Sequence, residues 1–160
     1  MLDLDHIKVV LFDFDDTLCI HTKRPQNTRS NVEYDASILR GENPWENDGI
    51  PSREMAAFIK MCVERNIHMG MISATGGSLS SRAKVEWVKS HYDVALNDYS
   101  VNHPARKVEE LQSLAEYFHC ERSEILLVDD LHSTLDAVAS EGFLACSPMV
   151  IVEYCHMVQS

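Results

Sequence analysis

The chain has 160 residues, of which 45% are hydrophobic and 24% are charged, and its formal net charge is −11. This length and composition are typical of one globular domain, so we expect a single domain over residues 1–160. No apolar run approaches the roughly 20 residues that a membrane-spanning helix needs. The acidic charge disfavours binding to nucleic acid, whose phosphates attract basic surfaces. We therefore expect a soluble protein that has neither a membrane nor nucleic acid as a partner.

The cysteines and the amino terminus indicate where the protein resides. The five cysteines are odd in number, lie far apart and include no C-x-x-C pair, which argues against a disulfide framework and against a structural zinc site. Residues 1–6 are acidic, whereas a secretory signal peptide begins with basic residues. Both features predict a cytoplasmic location.

A buried parallel strand is predicted at residues 7–12, where an apolar, β-branched run ends in Asp13, Asp15 and Asp16. Ligands of open α/β sheets bind beyond the carboxyl ends of the strands, and side chains alternate along a strand. Asp13 and Asp15 should therefore point into such a crevice, with Phe14 turned away. Two carboxylates in this arrangement suit phosphoryl transfer, with Asp13 as the nucleophile and Asp15 as the general acid and base. The alternative interpretation is a polar strand exit without function.

Residues 13–18 read D-x-D-x-T-L, which resembles the first signature of the haloacid dehalogenase-like (HAD) hydrolase superfamily. The resemblance implies three later signatures in a fixed order: a Ser or Thr that closes a strand, a Lys or Arg, and a pair of acids that ends another strand. In this superfamily a β-hairpin flap follows the first signature and is sometimes expanded into a cap domain. The room between the signatures implies a capless member.

From residue 17 to residue 50 no helical or strand periodicity is sustained, and prolines and glycines interrupt the segment. A loop of this length in a compact domain is usually functional or disordered. We interpret it as a flap or loop insert beside the site. Its cations Lys23, Arg24 and Arg29 are predicted to bind the substrate, and a solvated loop tip is the alternative.

The rest of the chain alternates predicted helices with predicted strands, as an α/β fold requires. Apolar residues at i, i+3 and i+4 predict helices, and short apolar runs predict strands. The predicted helices cover residues 51–65, 81–92, 105–118 and 133–140, and the predicted strands cover residues 67–72, 94–96, 125–128 and 143–146. Residues 148–158 are ambiguous between a strand and a terminal helix.

Ser73 follows the second predicted strand, where the superfamily places its second signature. A hydroxyl there can donate to a phosphoryl oxygen, and backbone N–H groups from Ala74 onward can bind the same anion. Without function, this segment would be a plain turn between a strand and a helix.

Lys107 stands where the resemblance places the third signature, a cation that neutralises the phosphoryl group and the nucleophilic carboxylate. Its position in the first turn of a predicted helix opposes the helix dipole, so its presence invites a functional explanation. Arg106 is the competing candidate. The alternative interpretation is an exposed surface lysine without a catalytic role.

Asp129 and Asp130 end the third apolar strand and match the fourth signature, although Thr134 stands where the family often has a further acid or Asn. Acids gathered at adjacent strand ends repel one another unless a cation binds between them. An all-oxygen ligand set selects Mg²⁺. We assign Asp13 and Asp130 as side-chain ligands and Asp129 as an outer or alternative ligand. The resemblance adds the backbone carbonyl of Asp15.

The predicted fold is a doubly wound α/β domain with a mainly parallel sheet, helices on both faces and no folded cap. The predicted function is Mg²⁺-dependent hydrolysis of a phosphomonoester, either a small molecule or a phosphoprotein. An open site should be covered by the insert, by a large substrate or by a second copy of the chain. Three alternatives remain: a hydrolytic dehalogenase, which has no need of Asp15; a receiver domain, whose motifs come in a different order; and a catalytically idle phosphate-binding or interaction module.

Overall fold

The computed structural model describes residues 2–23 and 29–159. Its strands are β1 (Val9–Phe12), β2 (Cys19–His21), β3 (Gly49–Pro51), β4 (His68–Met71), β5 (Asn97–Asp98), β6 (Ile125–Val128) and β7 (Leu144–Cys146). Its α-helices are α1 (Asn31–Leu39), α2 (Pro44–Asp48), α3 (Arg53–Glu64), α4 (Ser78–Tyr92), α5 (Lys107–Phe118), α6 (His132–Ser140) and α7 (Pro148–Gln159). Short 3₁₀ turns precede α5 and β6.

Five strands form one parallel sheet in the order β5-β4-β1-β6-β7. In the central strand β1, Phe12 pairs with Met71 on one side and with Val128 on the other. The chain winds outward from β1 through β4 to β5, and then returns to β6 and winds the opposite way to β7. The winding direction therefore reverses between β1 and β6, which is where doubly wound sheets bind ligands. The predicted fold class is confirmed, with the Asp13 and Asp129 strands adjacent at the centre.

The side chains of β1 alternate between two cores. Val10 and Phe12 pack with α3, α4 and α7, whereas Val9 and Leu11 pack with α5 and α6 on the other face. Phe14 continues the first face and is fully buried. The acids on either side of Phe14 are consequently left at the carboxyl edge of the sheet, as the alternation predicted.

The segment 17–50 is more regular than predicted, and the prediction of a loop without helices was wrong. Strands β2 and β3 pair antiparallel at its base, and α1 and α2 lie between them. Each helix begins at a capping side chain: Ser30 accepts from the N–H of Glu33, and Asn43 accepts from the N–H of Trp45. Caps therefore define these helices where apolar periodicity is weak. The described residues contain no separately folded cap domain.

Other assignments outside the insert also differ from the prediction. The strand expected at 94–96 lies instead at β5, because pairing with Gly70 and Met71 begins only at Asn97. The ambiguous terminal segment is α7, and its Ile151 and Cys155 complete the core against α3. Helix α6 begins at His132, one residue before the predicted start, and has no side-chain cap. Among the described helices, none has the length and apolar character needed to cross a membrane.

Candidate active site

Asp13 and Asp129 each follow the last residue of a central strand, and Lys107 reaches both of them. The Nζ atom of Lys107 lies 3.0 Å from Asp13 Oδ1 and 2.7 Å from Asp129 Oδ2. Lys107 is only 3% exposed, so its interpretation as a surface lysine was wrong. The competing cation, Arg106, is exposed and pairs with Glu109 on the outside of the helix. The position of Lys107 allows it to balance two buried negative charges.

Burial and neighbouring charges strongly perturb this group. Burial raises the pKa of Asp13 well above its usual value; Lys107 opposes this, whereas Asp129 and Asp15 raise it further. Burial alone would lower the pKa of Lys107, but the two carboxylates outweigh it and raise the pKa instead. One lysine therefore does not fully compensate the acids, and the site favours an additional positive charge.

Asp130 completes a cluster that fits a divalent cation. One carboxylate oxygen from each of Asp13, Asp129 and Asp130 lies within 4.8 Å of the others. Asp129 is held in place, because its Oδ1 atom also accepts from the N–H of Leu131 at 3.0 Å. The ligand atoms are all carboxylate oxygens, which suit Mg²⁺. A cavity of about 430 Å³ opens beside them and is lined by Asp13, Asp15, Ala74, Pro104, Lys107, Asp129, Asp130 and Leu131.

Three side chains hold the carboxylate of Asp15. Its Oδ1 atom accepts from Nε2 of His21 at 2.8 Å and from Nε1 of Trp45 at 3.2 Å, and its Oδ2 atom accepts from Nζ of Lys84 at 3.2 Å. Burial would raise the pKa of Asp15, but Lys84 and His21 together lower it below its usual value. Conversely, the hydrogen bond to Asp15 raises the pKa of His21. Asp15 is therefore held as a carboxylate in one orientation.

No protein-family model and no curated protein matches the chain, but solved structures do. A HAD-superfamily hydrolase from Ehrlichia chaffeensis has a TM-score of 0.58 and 12% identity over 96% of this chain and 98% of that one. A HAD-family enzyme from Bacteroides thetaiotaomicron, in complex with magnesium and inorganic phosphate, has a TM-score of 0.56 and 10% identity. The match covers 88% of this chain and 93% of that enzyme. A cobalt-bound deoxy-D-mannose-octulosonate 8-phosphate phosphatase from Haemophilus influenzae has a TM-score of 0.51 and 16% identity over 86% of this chain. This chain spans 66% of the length of that phosphatase, which is just under two thirds.

The chain has the fold of the HAD-superfamily hydrolases. The resemblance inferred from residues 13–18 is thereby confirmed at the level of the fold. On this HAD fold the four motifs lie at one edge of the sheet: Asp13 follows β1, Ser73 follows β4, Lys107 begins α5 and Asp129 follows β6. Residues far apart in sequence are thus brought to the reversal point of the winding.

Ser73 lies beside this group in the HAD fold. It is 1% exposed, and its Oγ atom accepts from Nζ of Lys84 at 2.8 Å. Its backbone is fixed as well, because its N–H donates to Oγ of Ser100 and its carbonyl accepts from Val101. Ala74, the next residue, lines the 430 Å³ cavity. The substrate-binding roles predicted for Ser73 and Ala74 remain predictions.

Of the three cations predicted to bind the substrate, Lys23 and Arg29 lie within the described residues. Arg29 donates from Nε and from a terminal nitrogen to the two oxygens of Asp48, both at 3.0 Å. Asp48 is buried, so Arg29 has a structural partner where a substrate contact was expected. Lys23 is exposed and follows β2 closely. Arg24 lies outside the described residues.

Sequence reasoning missed Lys84, His21 and Trp45. A signal for Lys84 was present, since it lies on the buried stripe of α4, four residues after Ser80 and three before Trp87. A lysine on a buried stripe needs a partner for its charge. His21 and Trp45 come from the insert, whose structure was not predicted, so their convergence on Asp15 had no signal in the sequence.

Proposed function

We propose that the protein is a Mg²⁺-dependent phosphomonoester hydrolase that works through an aspartyl-phosphate on Asp13. The observation that carries this proposal is the buried carboxylate of Asp13 at the reversal point of the sheet, bonded to Lys107 and open to a cavity with Asp129 and Asp130. A nucleophile among acids, with a lysine to offset its charge, suits attack on an anionic phosphoryl group.

In the first half of the reaction, a carboxylate oxygen of Asp13 forms a bond to phosphorus while the bond from phosphorus to the ester oxygen breaks. The leaving oxygen takes a proton from Asp15, whose protonated form is favoured when a phosphate brings negative charge beside it. In the second half, Asp15 removes a proton from water, and the resulting hydroxide attacks phosphorus and releases Asp13 and inorganic phosphate. Lys107 offsets the charge on Asp13 throughout.

Mg²⁺ bound by Asp13, Asp130 and the backbone carbonyl of Asp15, with Asp129 as an outer or alternative ligand, would screen the nucleophile from the substrate's charge and orient the phosphate. The substrate is a phosphorylated small molecule or phosphoprotein. In support, one structure with this fold is a sugar-acid phosphate phosphatase and another holds magnesium and inorganic phosphate.

A hydrolytic dehalogenase has no need of a second acid at Asp15, so the three partners that hold Asp15 argue for phosphorus chemistry. A catalytically idle phosphate-binding module is the remaining candidate, since it would bind phosphate at the same place without turnover.

Hydrolysis of p-nitrophenyl phosphate, measured with Mg²⁺ and after exhaustive EDTA treatment, tests the proposal. Turnover should require Mg²⁺ and should be abolished in Asp13→Asn. Asp136→Asn is the matched control, because Asp136 is an exposed acid on α6 away from the site. Full activity in EDTA would overturn the assignment of magnesium. No turnover on any member of a broad panel of phosphate esters, with phosphate still bound, would favour the idle module.

The roles of the two acids are separable. Asp13→Asn should leave no acid-labile phosphoryl-enzyme after a rapid quench. Asp15→Asn should retain metal binding through its unchanged backbone and lose about 10²- to 10⁴-fold in turnover of an alkyl phosphate, the usual contribution of a general acid or base. An adduct on any residue other than Asp13 in a complex with a fluoride analogue of phosphate would contradict the assignment.

A further inference from the structure

Lys84 is a second buried lysine, and the reaction described above gives it no role. It is 3% exposed and projects from the second turn of α4 toward the carboxyl edge of the sheet. Its Nζ atom lies 5.4 Å from the centre of the Phe14 ring and 5.2 Å from the centre of a Trp45 ring. The two aromatic faces stabilise a cation that has lost its water. The ammonium of Lys84 therefore lies among aromatic side chains as well as polar ones.

The hydrogen bonds of Lys84 connect two motifs that come from neighbouring strands. Nζ donates to Oγ of Ser73 at 2.8 Å and to Oδ2 of Asp15 at 3.2 Å. Ser73 follows β4 and Asp15 follows β1, so the ammonium bridges the two strand ends. Lys84 makes no hydrogen bond or ion pair to Asp13 among the described residues, and it does not line the 430 Å³ cavity.

The bond to Ser73 determines what the serine hydroxyl can do. An ammonium has donors and no acceptor, so Oγ of Ser73 must be the acceptor in this pair. The hydroxyl proton is then left for a different partner, and the described residues supply no acceptor for it. Lys84 thus forces the hydroxyl of Ser73 to act as a donor, which is what an anionic phosphoryl oxygen requires.

The bond to Asp15 fixes the carboxylate from the side opposite to the insert. His21 and Trp45 both donate to Oδ1, so without Lys84 the Oδ2 atom would have no donor in the described part of the chain. A carboxylate held at one oxygen can rotate, whereas one held at both oxygens keeps its plane. Proton transfer depends on that geometry because the donor and acceptor must be within hydrogen-bond reach.

We propose that Lys84 is a positioning residue that sets Ser73 as a hydrogen-bond donor and holds Asp15 in the orientation needed for proton transfer. This inference rests on the proposed phosphatase function and identifies how two of its groups are oriented. Lys84 acts through other residues, so its loss should impair the reaction without removing the metal site.

The test is the leaving-group dependence of Lys84→Met. An aryl phosphate such as p-nitrophenyl phosphate releases a stable anion and needs little proton donation, whereas an alkyl phosphate such as ethyl phosphate needs it fully. Because Asp15 would be misplaced, kcat/KM on ethyl phosphate, which covers the steps up to release of the leaving group, should fall by about 10²-fold or more, the lower end of general-acid effects. The fall in kcat/KM on the aryl phosphate should be at least about tenfold smaller, because its leaving group needs little help from a general acid.

The coupling to Ser73 is tested in the background of Ser73→Ala. If Lys84 acts through the serine hydroxyl, the loss that Lys84→Met causes on the aryl phosphate should shrink once that hydroxyl is gone, since coupled residues are non-additive. Mg²⁺ affinity, measured by calorimetric titration, should stay within about twofold of wild type because the metal acids are not touched.

Lys89→Met is the matched control, because Lys89 is an exposed lysine on the same helix; it should behave as wild type. If Lys84→Met does not fold, Lys84→Gln serves as the second neutral variant, with the same expected change in selectivity. A wild-type ratio of alkyl to aryl kcat/KM in a folded, active variant would overturn the role through Asp15. Fully multiplicative losses with Ser73→Ala would overturn the role through Ser73. A wild-type protein that hydrolyses neither ester, by contrast, would overturn the phosphatase function itself.

Discussion

Replacing Lys107 by Met should destabilise the metal-free protein more than any other single lysine substitution at the site. The change keeps a long apolar side chain and removes the ammonium that lies between two carboxylates. The side chains of Lys107, Asp13 and Asp129 are 4%, 10% and 1% exposed, so solvent cannot replace the lost charge. Removing one partner of such a buried group costs about 3–5 kcal/mol.

In a domain of this size about 1 kcal/mol shifts the unfolding midpoint by roughly 2–4 °C. Lys107→Met should therefore unfold about 6–20 °C below wild type in EDTA, as monitored by circular dichroism. Added Mg²⁺ should restore part of the difference, because it supplies positive charge to the same acids. Lys8→Met is the control: Lys8 also forms an ion pair, with Glu124 at 2.9 Å, but its side chain is 63% exposed and screened by water.

A midpoint for Lys107→Met less than about 2 °C below wild type in EDTA would correspond to under about 1 kcal/mol and would refute this reasoning. It would mean that Asp13 and Asp129 relax or take up protons without cost. The same experiment on Lys8→Met should show little change at either metal concentration.

Three further predictions concern the insert and strand β4. Trp45→Phe removes the N–H donated to Asp15 while keeping a ring against Tyr34, so kcat should fall severalfold with the unfolding midpoint little changed. An unchanged kcat in the folded variant would contradict this prediction. Arg29→Met should destabilise the protein by about 1.5–3 kcal/mol in denaturant titration, because Asp48 loses a charged hydrogen-bond partner, whereas Lys23→Met should raise KM rather than lower stability. Burial lowers the pKa of His68 in the folded protein. Below about pH 6.5 the unfolded chain therefore takes up a proton that the folded protein does not. The free energy of unfolding should then fall by up to about 1.4 kcal/mol per pH unit, until the pH reaches the pKa of His68 in the folded protein. His68→Gln should lack that part of the decline, and equal pH profiles would show that His68 is not responsible.

Strands β1, β4, β6 and β7 and the helices outside the insert could be predicted because their apolar patterns decide where they pack. β6 was predicted residue for residue, since the apolar run Ile125–Val128 ends in two acids. The group of Asp13, Lys107 and Asp129 followed from motif order, because parallel strands bring their carboxyl ends to one edge.

The helices of the insert could not be predicted from periodicity, since Val32 and Leu39 of α1 are exposed and no apolar stripe forms. Their start signals were nevertheless present: Ser30 precedes Glu33 by three residues, and Asn43 precedes Pro44. Capping residues in the sequence therefore indicate these two helices, whereas the apolar periodicity does not. Lys84 escaped notice because a lysine is exposed by default, and only the three-dimensional placement of Ser73 and Asp15 reveals its partners.

The pairing of β2 with β3 divides the control of Asp15 between two parts of the chain that can change independently. Gly49 makes this pairing close, since a Cβ atom there would lie 2.4 Å from Sγ of Cys19. The paired strands β2 and β3 thus form a fixed base, called the socket below. Changing the length of the segment inserted between them costs only about 0.6 kcal/mol per doubling of length. His21 belongs to the socket and would stay with the scaffold, whereas Trp45 would be exchanged with the inserted segment. Grafting a different segment onto this socket would replace one hydrogen-bond donor to Asp15 and leave the others, which makes the insert a natural place to alter substrate preference without rebuilding the sheet.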